Sequence, residues 1–382
     1  MKENCLEVKD LRSAINASLT AQGFRVTERG VSFRQKRDKR SVRKRHVLSV
    51  ARKVASARPS LADREQDLIK YIASGSEVNP RRIRPRLEQV EANTWQSELF
   101  RYACLHWSIP VSGGYGRRLR FLIFDDYNGK LIGLFALGDP VYSIRARDAW
   151  IGWNADSKAR RLYHVMDAYV LGAVPPYANL LGGKLVALVA GCDEVRAAFR
   201  ARYAEKLAIL SGRKREPHLV LVTTTSALGR SSLYNRVKFR KRLLFRRAGF
   251  TGGWGEFHFS DGVYQQISEF AHEHCEPTAK KEGWGKGFRN RRELVRKALA
   301  KLGFSPNVLN HGIQRELFVV PLARNARAFL RGETDAPNYH KVPFDGVVRF
   351  WKKRWLLPRA HRNDSWRGFH RSDWLLWRRR AQ

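Results

Sequence analysis

The stretch AVPPYANLLGGKLVALVA, residues 173–190, decides how this chain is read. Two prolines close the apolar run DAYVLGAV. Two glycines and a lysine follow, and then Leu, Val and Ala recur at helical spacing. The pattern is a strand end, a turn and the mouth of a buried helix. Gly182 and Gly183 permit close approach to backbone N–H groups, a helix starting there presents its positive end, and Lys184 adds a point charge. The expected ligand is a phosphate, with close strand–helix packing as the competing reason for glycine. A Walker A loop is excluded, because it needs Gly at 178 and Ser or Thr at 185, where the chain has Ala178 and Leu185.

Outward from this turn, residues 111–262 read as an α/β core. RLRFLIFD and KLIGLFAL are continuous apolar runs flanking DYNG, and Asn128-Gly129 is a strong hairpin signal. HVMDAYVLGAV is a third strand, HLVLVTTT a fourth, SSLYNRVKF a short helix opened by Ser231 or Ser232, and GWGEFHF a closing strand. The fold class expected is a mixed sheet with helices packed on it. Residues 1–110 form a helical, basic N-terminal region. Residues 263–382 form a basic, Trp- and Arg-rich C-terminal region, with RELFVVPLARNARAFL as one last strand and helix.

Charge narrows the partner. Among 382 residues, 73 Lys and Arg against 35 Asp and Glu leave a formal charge of +38, while 43% hydrophobic content provides a core. Such an excess is relieved by a polyanion, and nucleic acid is the first candidate. A membrane is disfavoured, since no apolar run approaches the roughly 18 residues of a spanning helix and the first residues do not resemble a signal peptide. Four scattered cysteines without a C-x-x-C fit a reduced cytoplasm. HEHC at 272–275 lacks a second ligand pair, so no metal site is assigned.

Two segments carry the expected DNA contacts. Between 34 and 58, Arg37, Arg40, Arg43, Lys44 and Arg45 belong to a helix-compatible run ending at Pro59 and suited to tracking phosphates. In the tail, Trp366, Trp374 and Trp377 lie among arginines and could stack unpaired bases, or else form one face docked on the body.

Catalytic candidates gather near strand ends, where ligands of α/β sheets sit. TTTSALGRSSLYNR, 223–236, supplies Ser226, Arg230, Tyr234 and Arg236. Beside guanidinium groups Tyr234 is expected to ionise more easily, as general acid or nucleophile. Asp167 lies inside a strand and must be paired or functional, so it is either the leading base or metal-binding carboxylate or the structural partner of an arginine such as Arg160 or Arg161. Asp126 is a weaker candidate beside the Asn-Gly turn.

The order of these segments resembles GNAT-type acyltransferases, whose R/Q-x-x-G-x-G/A turn binds the coenzyme A pyrophosphate. Here Asn179-Leu180-Leu181-Gly182-Gly183-Lys184 keeps the first glycine and departs at the first and last motif positions. Closer still, SGGYGRRLRFLIFDDYNGKLIGLFALGDPV, MDAYVLGAVPPYANLLGGKL, LVTTTSALGRSSLYNRVKF and GWGEFHF resemble the DruA family of the Druantia anti-phage defence system. That resemblance implies a cytoplasmic bacterial protein of phage immunity that works with other defence proteins. Three readings stand open: DNA recognition or modification, coenzyme A-dependent acyl transfer to DNA bases, and transposase- or recombinase-like strand processing. Single-stranded DNA is included among the partners, and a coenzyme A derivative or a divalent metal among the cofactors left unassigned.

Overall fold

The computed structural model describes residues 2–27, 29–33, 39–112, 116–204, 216–229, 231–255, 259, 262–277, 284 and 288–377. The chain forms two compact units, residues 1–52 with 250–315, and residues 53–249 with 316–382. These units cut across the linear blocks 1–110, 111–262 and 263–382, because segments remote in sequence bury their apolar faces together.

In the first unit, helix α1 (Lys2–Ala21) stops before Gly23, whose φ of +84° an L side chain adopts poorly. A hairpin pairs Phe24–Thr27 with Gly30–Phe33. Ile15, Leu19 and Phe24 share one core with Ile267 and Phe270 of helix Val263–His274 and with Val295 and Leu299 of helix Phe288–Lys301. Helix α2 (Lys39–Leu61), which belongs to this unit as far as Arg52 and to the second from Lys53, carries Arg40, Arg43 and Lys44 exposed. It runs past Pro59, where a stop was expected, and ends on Leu61, which is buried.

The second unit is built on a seven-stranded sheet, numbered along the chain β1 (Pro85–Gln89), β2 (Arg118–Asp125), β3 (Lys130–Gly138), β4 (Val165–Ala173), β5 (Leu221–Thr225), β6 (Arg246–Phe250) and β7 (Glu316–Pro321). Their spatial order is β1-β2-β3-β4-β5-β7-β6. β2 and β3 form the expected antiparallel hairpin, and Gly129 takes a φ of +71° in its turn. β3 pairs antiparallel with β4, whereas β4 runs parallel to β5. β7 completes the sheet beside β5, confirming a strand in RELFVVP. The closing strand expected at GWGEFHF falls partly outside the described residues.

Both faces are covered, as the uninterrupted apolar runs require. On one face Phe121, Phe135 and Met166 pack under helix α3 (Gly182–Val189), whose Leu185 and Leu188 are fully buried. On the other, Leu122, Phe124 and Leu134 meet Leu99, Phe100 and Tyr102 of helix Trp95–Cys104. LADREQDLIKYIA forms short 3-10 and α-helical turns, with Leu68, Ile69 and Ile72 all turned inward.

Candidate functional site

The parallel seam organises the site. β4 and β5 are in register at Val165↔Leu221, Met166↔Val222 and Asp167↔Thr223. Past that point β4 continues to Ala173, and the Thr224 hydroxyl donates to the Ala168 carbonyl at 2.9 Å. Asp167 therefore sits where the paired register ends. Its Oδ1 accepts from Thr223 Oγ1 at 2.6 Å. Burial pushes its carboxyl up to about 6, against the opposing pull of that hydrogen bond and of Arg147.

Arg147 went unnoticed in the sequence. It is fully buried, donating to the Val141 and Tyr142 carbonyls at 2.7 and 2.8 Å and to Asp148 at 2.7 Å. Asp148 also receives Lys158 Nζ at 2.9 Å. Two cations thus share one carboxylate, and the Arg147 charge reaches Asp167.

Tyr234 lies in a 3-10 turn, Tyr234–Arg236, where a short helix was expected. Ser231 opens it: its Oγ accepts from the amides of Leu233 and Tyr234 at 3.2 and 3.0 Å. The ring stacks on Phe245 at 4.6 Å and meets Phe318 edge-on at 5.2 Å. Burial pushes the phenol up to about 12, with a hydrogen bond to Thr224 pulling down and the Asp167 charge pushing up. The easier ionisation expected of Tyr234 is thus reversed, because burial and the Asp167 charge outweigh the hydrogen bond with Thr224. The group suits proton donation. Asp167 and Tyr234, chosen separately in the sequence, lie close enough for the carboxylate charge to act on the phenol.

Ser226 follows β5 and is buried, its amide donating to the Glu316 carbonyl at 2.8 Å. Glu316 was missed although it too is an acid heading an apolar run, the signal that singled out Asp167. Its buried carboxylate accepts from the Ser231 amide at 2.9 Å and pairs with Arg247 at 3.2 Å. Asp126 stands elsewhere, exposed at the far end of the β2–β3 hairpin and paired with Arg86 at 2.7 Å. Arg230 and Arg37 lie outside the described residues, as does the side chain of Arg45.

The Gly-Gly turn is held from behind. Leu181 takes a left-handed conformation (φ 62°) and its carbonyl accepts from Trp351 Nε1 at 3.0 Å. Arg359 Nε donates to the Asn179 carbonyl, also at 3.0 Å. The expectation that bare amides await a phosphate needs correction. Gly182 N–H donates to the Tyr177 carbonyl at 2.8 Å and Lys184 N–H to the Leu181 carbonyl at 3.0 Å, so both are committed within the chain. Gly182 is glycine for packing, since a Cβ there would stand 2.8 Å from the Tyr177 oxygen. Gly183 differs: a Cβ there would meet only Leu233, at 3.9 Å. Lys184 Nζ lies 4.6 Å over the Trp355 ring. Burial, then Arg354 and Arg236, hold its ammonium below the usual lysine range. The Arg354 and Arg236 charges thus reach Lys184, the residue next to Gly183, and the three cations favour an anion.

Of the two roles left open for the tail tryptophans, docking matches their placement and base stacking does not. Trp366 and Trp374 are 1% and 8% exposed. Trp374 stacks on His106 at 3.9 Å, and half-buried Trp377 lies 6.2 Å from Tyr102. Their indoles do what docking requires, because a base needs an open ring face. Among the described residues, no three His, Cys, Asp or Glu side chains converge as a metal site.

Comparison with known proteins adds the family context. The family model described as Druantia protein DruA matches residues 36–332. A Druantia protein DruA of Escherichia coli (strain UMEA 4076-1) is 39% identical over 367 residues, 95% of this chain and 90% of that protein. No solved structure matches.

Proposed function

The chain belongs to the DruA family, and from that premise we propose that it is a cytoplasmic component of a Druantia-type anti-phage defence system that grips and chemically processes nucleic acid, alongside other defence proteins. The observation that carries the reading is the meeting of Asp167 and Tyr234 at the parallel seam. The cations Lys184, Arg236 and Arg354 stand together at the turn that follows β4. A carboxyl near 6 is ionised at neutral pH and accepts a proton, while a phenol near 12 keeps one to give. Such a pair suits transfer chemistry on a nucleophile and its leaving group. The +38 charge, with Arg40, Arg43 and Lys44 exposed on α2, supports a polyanionic partner. Arg37 and Arg45 are proposed to extend that run, and Ser226 and Arg230 to flank the reacting groups.

A second reading is favoured by the turn itself. A parallel seam beside a Gly-Gly turn that enters a buried helix supports a GNAT-like core. A coenzyme A derivative, with its phosphates held by Gly183, Lys184, Arg236 and Arg354, would supply an activated acyl group. Asp167 would then take the proton from an amino group of a DNA base as its nitrogen bonds to the acyl carbon. The carbon–sulfur bond breaks, and the departing thiolate receives a proton from Tyr234. Strand processing through Tyr234 as nucleophile loses support, since its phenol resists ionisation.

The test incubates the purified full chain with single- and double-stranded DNA, with and without acetyl-CoA or magnesium, and reads intact masses of protein and DNA. A mass change in DNA that is lost in Asp167→Asn supports processing, and an acetyl increment only with acetyl-CoA selects the second reading. Binding that falls steeply with salt, with a log–log slope reduced by up to about 3 in the Arg40→Gln, Arg43→Gln, Lys44→Gln variant, supports the grip. Absence of any binding near physiological salt overturns the proposal.

A further inference from the structure

Away from the sheet, the first unit holds a cleft of about 900 Å³ lined by α1, the strand Phe24–Thr27 and the turn Gly303–Ser305. That size suits one small ligand. Its walls are chemically mixed. Arg12 gives one N–H to the Leu302 carbonyl at 2.7 Å and lies 5.2 Å from the Phe304 ring centroid, leaving other guanidinium donors. Arg25 is exposed on the strand side. Asn16 lines the cleft, and its side-chain oxygen is buried without a hydrogen-bond partner, an acceptor whose desolvation goes uncompensated until a donor arrives. The Thr27 and Ser305 hydroxyls are already engaged, with the Gly30 and Arg29 carbonyls.

We propose that this cleft binds a nucleotide, either free or extruded from a strand. Arg12 and Arg25 meet its phosphate, the half-buried Phe304 ring supports the base, and an exocyclic amino group of the base satisfies Asn16. Two cations alone would accept any anion. The aromatic wall and the unmet acceptor add a flat ligand with an exocyclic amino group, which adenine, cytosine and guanine carry. Uracil and thymine offer only an N3–H flanked by two carbonyl oxygens that an acceptor repels. The strand form rests on the nucleic-acid reading above, whereas the free form does not.

The test uses the full chain with AMP, CMP and UMP, with inorganic phosphate, and with single-stranded oligonucleotides carrying a photoreactive base. AMP and CMP are expected to bind more tightly than UMP, with that preference removed by Asn16→Leu. Arg25→Glu, a surface change that leaves the core intact, is expected to weaken binding about tenfold. Crosslinked peptides should map to residues 12–27 and 303–305. Mononucleotide binding without oligonucleotide crosslinking identifies the free form, and crosslinking identifies the strand form. Phosphate binding as tightly as nucleotide, or an unaltered Arg25→Glu, overturns the proposal. Oligonucleotides that bind with steep salt dependence but crosslink elsewhere overturn the strand form and leave the nucleic-acid reading standing.

Discussion

Thr223 donates its hydroxyl to Asp167 across the parallel seam, Oγ1 to Oδ1, at 2.6 Å. The bond stabilises the ionised carboxylate, yet burial prevails and the carboxyl titrates near 6. The folded chain therefore holds this proton more tightly than the unfolded chain, whose carboxyl has the ordinary value of 3.8. Its contribution to stability is complete below about pH 4 and is lost as pH rises through 6.

At pH 7 the ionised Asp167 costs about 3 kcal/mol. Asp167→Asn should raise the melting temperature at pH 7 and lose that advantage near pH 4. Any activity that uses the carboxylate should rise through pH 6 in the parent chain and vanish in the variant. An equal thermal shift at both pH values would show that burial does not perturb this group.

Tyr234→Phe keeps the stack on Phe245 and removes only the phenol. The lost hydrogen bond to Thr224 is worth about 1 kcal/mol, so the fold should survive. Phage protection should nonetheless collapse in a plaque assay. Full protection with an unchanged melting temperature would reduce Tyr234 to a packing residue.

The two glycines of the turn should separate cleanly. Gly182→Ala drives a Cβ toward the Tyr177 carbonyl and should destabilise by about 1–3 kcal/mol, read by denaturant unfolding. Gly183→Ala should fold like the parent, because its flank is open. A bulkier Gly183→Val should fold and still lose affinity for a phosphate-bearing ligand. If it binds as the parent does, the cationic corner beside it is not the anion site.

Trp366→Ala should cost about 3–5 kcal/mol of stability, as expected for a large indole removed from a core. Trp374→Ala should behave alike, because it also deletes the stack on His106. Weaker DNA binding with an unaltered melting temperature would instead restore a base-stacking role.

The seam was legible in part. Asp167 stood out because an acid within VMDAYV needs a partner, and that partner proved to be Thr223, a strand away. Glu316 obeyed the same rule and was passed over because RELFVVP lay outside the expected core. Arg147 gave no local signal. Its neighbours in the chain look like any amphipathic helix, and only the closing of the loop at Val141 and Tyr142 over it makes it a buried cation.

Local order in the chain was enough to determine the β2–β3 hairpin and the Gly-Gly turn into α3, and composition fixed the excess of positive charge. Backbone torsion preferences, apolar periodicity and net charge act over a few residues or over the whole, without reference to folding partners. Tertiary structure alone decided which amides of the turn were committed, which tryptophans faced inward and how far Asp167 and Tyr234 were displaced in their titration. Those outcomes depend on burial and on contacts between residues far apart in the chain, such as Trp351 with Leu181, which no local pattern encodes.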